Sequence, residues 1–155
     1  MIKFDYYIFI DYSENLLGYN IIKKNDVESL LPKISRLKHY KDSKDKKLYI
    51  KNVSKTFKRE GIKSHLIKFK IKDKGKNMEI YLDVLEFLKN HENCIIFISV
   101  DNNEYLNFRK MVNVLDGEKV KIVKESELDK NSVEYQLSLI IDNMLNIERL
   151  RKKNE

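Results

Sequence analysis

The chain holds one cysteine, one proline and four glycines among its 155 residues. A single cysteine excludes an internal disulfide, and its place inside an apolar run, at Cys94, points to a reducing compartment. With so little proline and glycine there is no room for a flexible linker or a low-complexity tract. Residues 1–155 therefore read as a single domain, long enough to bury an ordinary core. No apolar run is long enough to span a bilayer and no signal-peptide pattern is present. A soluble, cytoplasmic protein with no membrane partner is the expectation. The one glycine of Lys74, Gly75 and Lys76 excludes a GxxxxGK[ST] phosphate loop. Ser13 and Ser99 have no evident base nearby, which argues against a serine hydrolase. His39, His65 and His91 lack the spacing of metal ligands and read as surface residues.

Charge is what the chain has in abundance. Charged residues make up 35% and the formal net charge is +7. That balance suits a polyanionic partner such as a nucleic acid. The same lysine-, asparagine- and isoleucine-rich composition would arise in any protein from an AT-rich genome, so charge permits this partner without requiring it.

Residues 94–103, CIIFISVDNN, begin with five apolar residues in six. A continuous run of this kind belongs to a strand covered on both faces. Residues 4–11, FDYYIFID, form a second such strand. A short helix or loop is expected over 14–22, with Gly18 as a break. A helix follows over 25–40, where Val27, Leu30, Leu31, Ile34 and Leu37 recur at helical spacing and Pro32 imposes a kink or a late start. Then come a short strand at 48–50, a short helix over 53–60 closed by Gly61, and an alternating strand over 64–72. Lys68, Lys70 and Lys72 on that strand suit either a phosphate backbone or the protection of a sheet edge. A helix over 78–91 is capped by Asn77. After the 94–100 strand come a helix over 103–115 closed by Gly117, a strand at 120–123, and a C-terminal helix over 132–153. That helix is expected to pack on the domain or to serve association as a homodimer.

Strands alternating with helices predict a three-layer α/β/α sandwich with a mostly parallel five-stranded sheet, Rossmann-like in build, in the order 3-2-1-4-5. The first and fourth strands are then neighbours, and Asp11 and Asp101 face each other at their carboxyl ends, about 5 Å apart by strand spacing. Open α/β sheets place their ligands at such an edge. Two carboxylates so close repel, and a divalent cation resolves the repulsion. Mg²⁺ takes oxygen ligands, often only one or two carboxylates, and such a site can activate water for phosphodiester hydrolysis. Glu79 and Asp83 share a face of the 78–91 helix and are candidates to join. The plainer alternative is that each Asp merely ends its strand and caps the next turn. Tyr12, Tyr81 and Tyr105 lie near the expected crevice and could stack on bases, although core packing suits Tyr81 better.

These residues resemble the NYN domain, a LabA-type branch of the PIN-like nucleases. IFIDYSEN resembles the FIDGxN signature, with Asp11 on its aspartate and Asn15 on its asparagine after one extra residue. KGKNMEIYLDVL (74–85) resembles KGVDVxLxxDxL, and ISVDNNEYLNFRKM (98–111) resembles the SGDSDF segment. GEKVKIV (117–123) and LIIDNMLNIERL (139–150) are similar to the final strand and the ADxFIxLxxL tail. The resemblance implies a ribonuclease using Mg²⁺ or Mn²⁺, with catalytic Asp11, Asp83 and Asp101. Asp11, Asp101 and Glu79 would hold the metal, and Asn15, Asn77, Asn103, Lys74 and Lys76 would contact substrate. Asn77 and Asn103 stand where the family has aspartates. An amide oxygen can ligate a cation but adds no charge, which weakens the site and removes candidate bases. Two readings follow: an endoribonuclease acting on single-stranded or structured RNA with a partly eroded acidic site, or an inactive RNA-binding or protein-interaction module.

Overall fold

The structure is a computed structural model that describes residues 3–116 and 120–153. Its elements in chain order are β1 (Tyr6–Ser13), β2 (Leu16–Lys23), α1 (Lys24–Lys33), α2 (Lys46–Glu60), β3 (Leu66–Asp73), α3 (Asn77–Asn90), β4 (Cys94–Ile98), α4 (Asn102–Asp116), β5 (Lys121–Lys124) and α5 (Val133–Lys153). The five strands form one sheet in the order β3-β2-β1-β4-β5. The β1–β2 and β2–β3 pairs are antiparallel, and β1–β4 and β4–β5 are parallel. The sheet is therefore mixed, and the expected mostly parallel sheet is corrected. The order and the β1–β4 neighbourhood are as expected, but the second strand is a different piece of chain.

That strand is β2, in the stretch expected to be a short helix or loop. It joins β1 through a two-residue turn in which Glu14 takes φ 52°. Glu-Asn lacks the Asn-Gly or Asp-Gly signature by which such hairpins announce themselves. Seven of its eight residues are buried, so no alternation marks it as a strand. Gly18 is no break. A Cβ there would meet Ile71 at 3.0 Å, Leu145 at 3.1 Å and Ile141 at 3.2 Å, so glycine lets α5 lie close on the sheet. The expected strand at 48–50 is the second turn of α2. Asp45 accepts a hydrogen bond from the Leu48 amide at 3.1 Å, and Gly61 closes the helix at φ 60°. Ile50, Val53 and Phe57 then line the buried side at helical spacing. Pro32 sits in the last turn of α1, which ends one residue later. The stop expected at Gly117 lies outside the described residues.

Helices cover both faces of the sheet. On one, Tyr7 and Phe9 of β1 pack with α1, α2 and α5; on the other, Ile8 and Ile10 pack with α3 and α4. Burying each such side chain contributes about 1.5–3 kcal/mol. Residues 137–146 of α5 are all buried, so its apolar side is spent on this sheet. Among the described residues no helix is long and apolar enough to cross a membrane.

Candidate active site

Side chains alternate along a strand, so Asp11 follows Tyr7 and Phe9 to the α5 face. Ser13, two residues on, confirms the direction: its hydroxyl donates to Asn146 Oδ1 on α5 at 2.8 Å. Asp11 is only 5% exposed. Its Oδ1 accepts from the Tyr12 amide at 2.8 Å, while its Oδ2 is buried with no donor in hydrogen-bonding geometry.

Two further acids share this environment. Glu125 follows the end of β5, and its Oε1 is likewise buried and without a donor. Asp142 comes from the middle of α5 and is 4% exposed. Its Oδ1 lies 3.2 Å from His39 Nε2, and its Oδ2 accepts from the Tyr40 amide at 2.9 Å. The His39 Nδ1 accepts from the Lys41 amide, which leaves the Nε2 proton to face Asp142.

Burial pushes the Asp11 carboxyl well above the ordinary range, and the charges of Glu125 and Asp142 push the same way. The Tyr12 amide only partly offsets this. Glu125 is raised by burial and by the charge of Asp142. Asp142 is raised by burial, against His39 and the Tyr40 amide. Three acids thus gather at the carboxyl edge of β1 and β5, with the His39 imidazole against one of them. A group that stabilised their ionised forms would have to be cationic and would find hard oxygen donors. Among the described residues no three His, Cys, Asp or Glu side chains converge closely enough to hold a metal ion. Asp11 Oδ2 and Glu125 Oε1 are the buried oxygens of these acids that lack a donor.

The residues expected at this site divide. Asp11 is there. Asp101 is not, because Ile10 pairs with Ile98 and the residue beside Asp11 is therefore Ser99, whose amide donates to the Ile10 carbonyl at 2.8 Å. Asp101 is exposed and caps α4, accepting from the Glu104 amide at 2.9 Å. Asp83 lies on α3, across the sheet from Asp11, where it accepts from the Tyr19 hydroxyl at 2.9 Å and the Lys70 ammonium at 2.6 Å. Glu79, on the same helix, lies 3.9 Å from Lys72. Asn77 is the first helical residue rather than the cap, and its amide donates to Glu104 at 2.9 Å. Asn103 is exposed on α4. Asn15 and Lys74 meet at the β1–β2 turn, where the Lys74 amide donates to the Asn15 carbonyl at 2.7 Å; Lys76 is exposed nearby. The Lys74 ammonium sits 4.0 Å from the Tyr12 ring centre. Tyr81 packs on Phe108 in the core.

Glu125, Asp142 and His39 were the residues sequence reasoning missed. For Asp142 a signal existed: an acid between Ile141 and Met144 on the apolar stripe of α5 must be paired or functional. Glu125 follows a four-residue strand and carries no comparable mark. His39 is no free surface residue, since its partner is a buried acid. A larger groove of about 890 Å³, lined by Phe57, Phe69, Met144 and Leu150, lies between α2, β3 and α5, and none of the three acids lines it.

No protein-family model matches the chain, and no curated protein matches it in sequence. Solved structures do match it. The ribonuclease H2 from Pyrococcus horikoshii OT3 superimposes with a TM-score of 0.55 over 96% of this chain and 74% of that one, at 13% identity. The RNase HII of Archaeoglobus fulgidus, from a complex with PCNA, gives a TM-score of 0.55 over 96% and 73%, also at 13% identity. The chain shares the α/β fold of these ribonucleases, and at such identity the likeness is one of fold alone.

Proposed function

We propose that the chain is a divalent-metal-dependent endoribonuclease whose working acids are Asp11, Glu125 and Asp142. The observation that carries this is that Asp11 Oδ2 and Glu125 Oε1 are both buried without donors at the carboxyl edge of the sheet; Glu104 Oε2, on the α3 and α4 face, is the other such carboxylate oxygen among the described residues. Mg²⁺ or Mn²⁺ bound there would activate water and offset charge on the phosphodiester. Asp11 and Glu125 would hold the cation, and Asp142, fixed by His39 and the Tyr40 amide, would keep the local charge negative. The fold shared with two ribonucleases and the net charge of +7 support RNA, single-stranded or structured, as substrate. Lys74, Lys76 and Asn15, at the turn beyond Asp11, are positioned to meet its backbone.

The NYN resemblance agrees with this reading at Asp11 and in the type of chemistry. It parts from it at Asp83, Asp101 and Glu79, which are engaged elsewhere, and at the antiparallel β1–β2–β3 pairing. Incubating the protein with single-stranded RNA and Mn²⁺ tests the proposal. Cleavage should be lost in Asp11→Asn and in Glu125→Gln, and cleavage that survives both would refute it.

One observation favours a second reading. His39 already stands 3.2 Å from Asp142, so one of the three acids has a partner of its own. In that case the chain binds RNA without cutting it. Affinity would fall steeply with salt and would not respond to chelation of metals.

A further inference from the structure

We propose that the crevice on the other side of this sheet edge is a phosphate subsite, taking a backbone phosphate of the RNA strand adjacent to the one at the acids; that the strand is RNA rests on the ribonuclease reading.

β4 and β5 lie side by side with Ile98 opposite Lys124, so Ser99 and Glu125 leave the sheet together. Between the β4 end, the turn after β5 and the first turn of α4 is a crevice of about 240 Å³. Ser99, Asn102, Tyr105, Lys124 and Ser126 line it, over a floor of Ile98 and Val100. Its polar residues are one lysine, two serines, a tyrosine and an asparagine, with no acid among them. Among the described residues Lys124 forms no salt bridge. Its ammonium rests 4.7 Å from the ring centre of Tyr105, which is only 8% exposed. A lysine stem so held presents its charge to the crevice at little further entropic cost.

Donors and a cation without an acid select an anion. The size narrows the choice. Ligand pockets ordinarily begin at about 300 Å³, so this space suits a phosphate with part of its ribose. Ser99 joins the crevice to the acids, since it lies beside Asp11 where β1 and β4 end, its amide donating to the Ile10 carbonyl at 2.8 Å. A strand crossing the sheet edge would therefore meet the acids on one side and Lys124 on the other.

Amide chemical-shift mapping with ribose 5-phosphate tests this without any cleavage. Shifts should appear at Ser99, Asn102, Lys124 and Ser126, and ribose alone should produce none. Lys124→Ala should weaken binding at least tenfold, and Lys124→Arg should restore most of it. Shifts absent from these amides, or unchanged affinity in Lys124→Ala, overturn the subsite. If the phosphate binds here but the protein cuts no RNA, the subsite stands and the ribonuclease reading falls.

Discussion

The two faces of the sheet hold two acidic groups that look alike in sequence and differ in physics. On the α3 face, Asp83 sits with Tyr19 and Lys70, and Glu79 with Lys72. Burial alone would raise Asp83, but the Lys70 ammonium and the Tyr19 hydroxyl outweigh it and hold the carboxyl below its ordinary range. On the α5 face, Asp11, Glu125 and Asp142 face one another and all three are raised. Acids answered by lysines tie α3 to β2 and β3. Acids raised mainly by burial, with no lysine against them, destabilise the fold where they ionise, and groups so shifted are candidates for a functional site. The partners of a carboxylate, more than its place in a motif, decide its role.

The sharpest way to break this comparison is to remove one acid from each face and measure cleavage. Asp11→Asn should lower Mn²⁺-dependent RNA cleavage by about 100-fold or more, the scale at which metal sites respond to altered ligation. Asp83→Asn should leave it within a few-fold. Equal losses would mean that the two faces are not distinct.

Thermal unfolding with added Mn²⁺ gives the next largest effect. At a concentration 100 times its Kd, the cation should stabilise the wild type by about 2.7 kcal/mol. Asp83→Asn should keep that gain and Asp11→Asn should lose it.

The pH dependence of stability has opposite signs on the two faces. Asp11, Glu125 and Asp142 have folded-state values above their unfolded ones. Their contribution is fully present below the unfolded values, about 3.9–4.3, and is lost as pH rises through the folded values. Asp83 is depressed, so its contribution is present above the unfolded value and lost as pH falls through the folded one. Urea unfolding at a series of pH values should show Asp11→Asn gaining on the wild type as pH rises from about 4 to 7. Asp83→Asn should be less stable at pH 7 by about 1 kcal/mol, given the partial exposure of its ion pair. A gain in Asp83→Asn would reverse the assignment.

The smallest effect belongs to Asp101. Asp101→Ala removes the cap of α4 and should cost about 1 kcal/mol, while cleavage falls no more than stability does. A loss of activity as deep as that of Asp11→Asn would return Asp101 to the site.

How much of this could be read from the residues follows from the same physics. Asp11 and β4 were legible because a long apolar run ending in an acid is a strong local signal. The places of β1, β3, β4 and β5 in the order were legible too, but the second seat, expected for 48–50, belongs to Leu16–Lys23. β2 was not, since its turn has no glycine and Gly18 serves a packing contact with Leu145 and Ile141 that lies far off in the chain. Asp101 was misplaced because β4 ends at Ile98, and a register fixed by β1 puts Ser99 in the seat expected for an acid. Glu125 and Asp142 come together only through the packing of α5, which no spacing along the chain reveals.

Calorimetric titration of Mn²⁺ into the wild type, Asp11→Asn, Glu125→Gln and Asp83→Asn tests the central claim most directly. Saturable binding in the wild type and Asp83→Asn, lost in the other two, is the predicted result. Binding unchanged in Asp11→Asn and Glu125→Gln, or lost in Asp83→Asn, would contradict it.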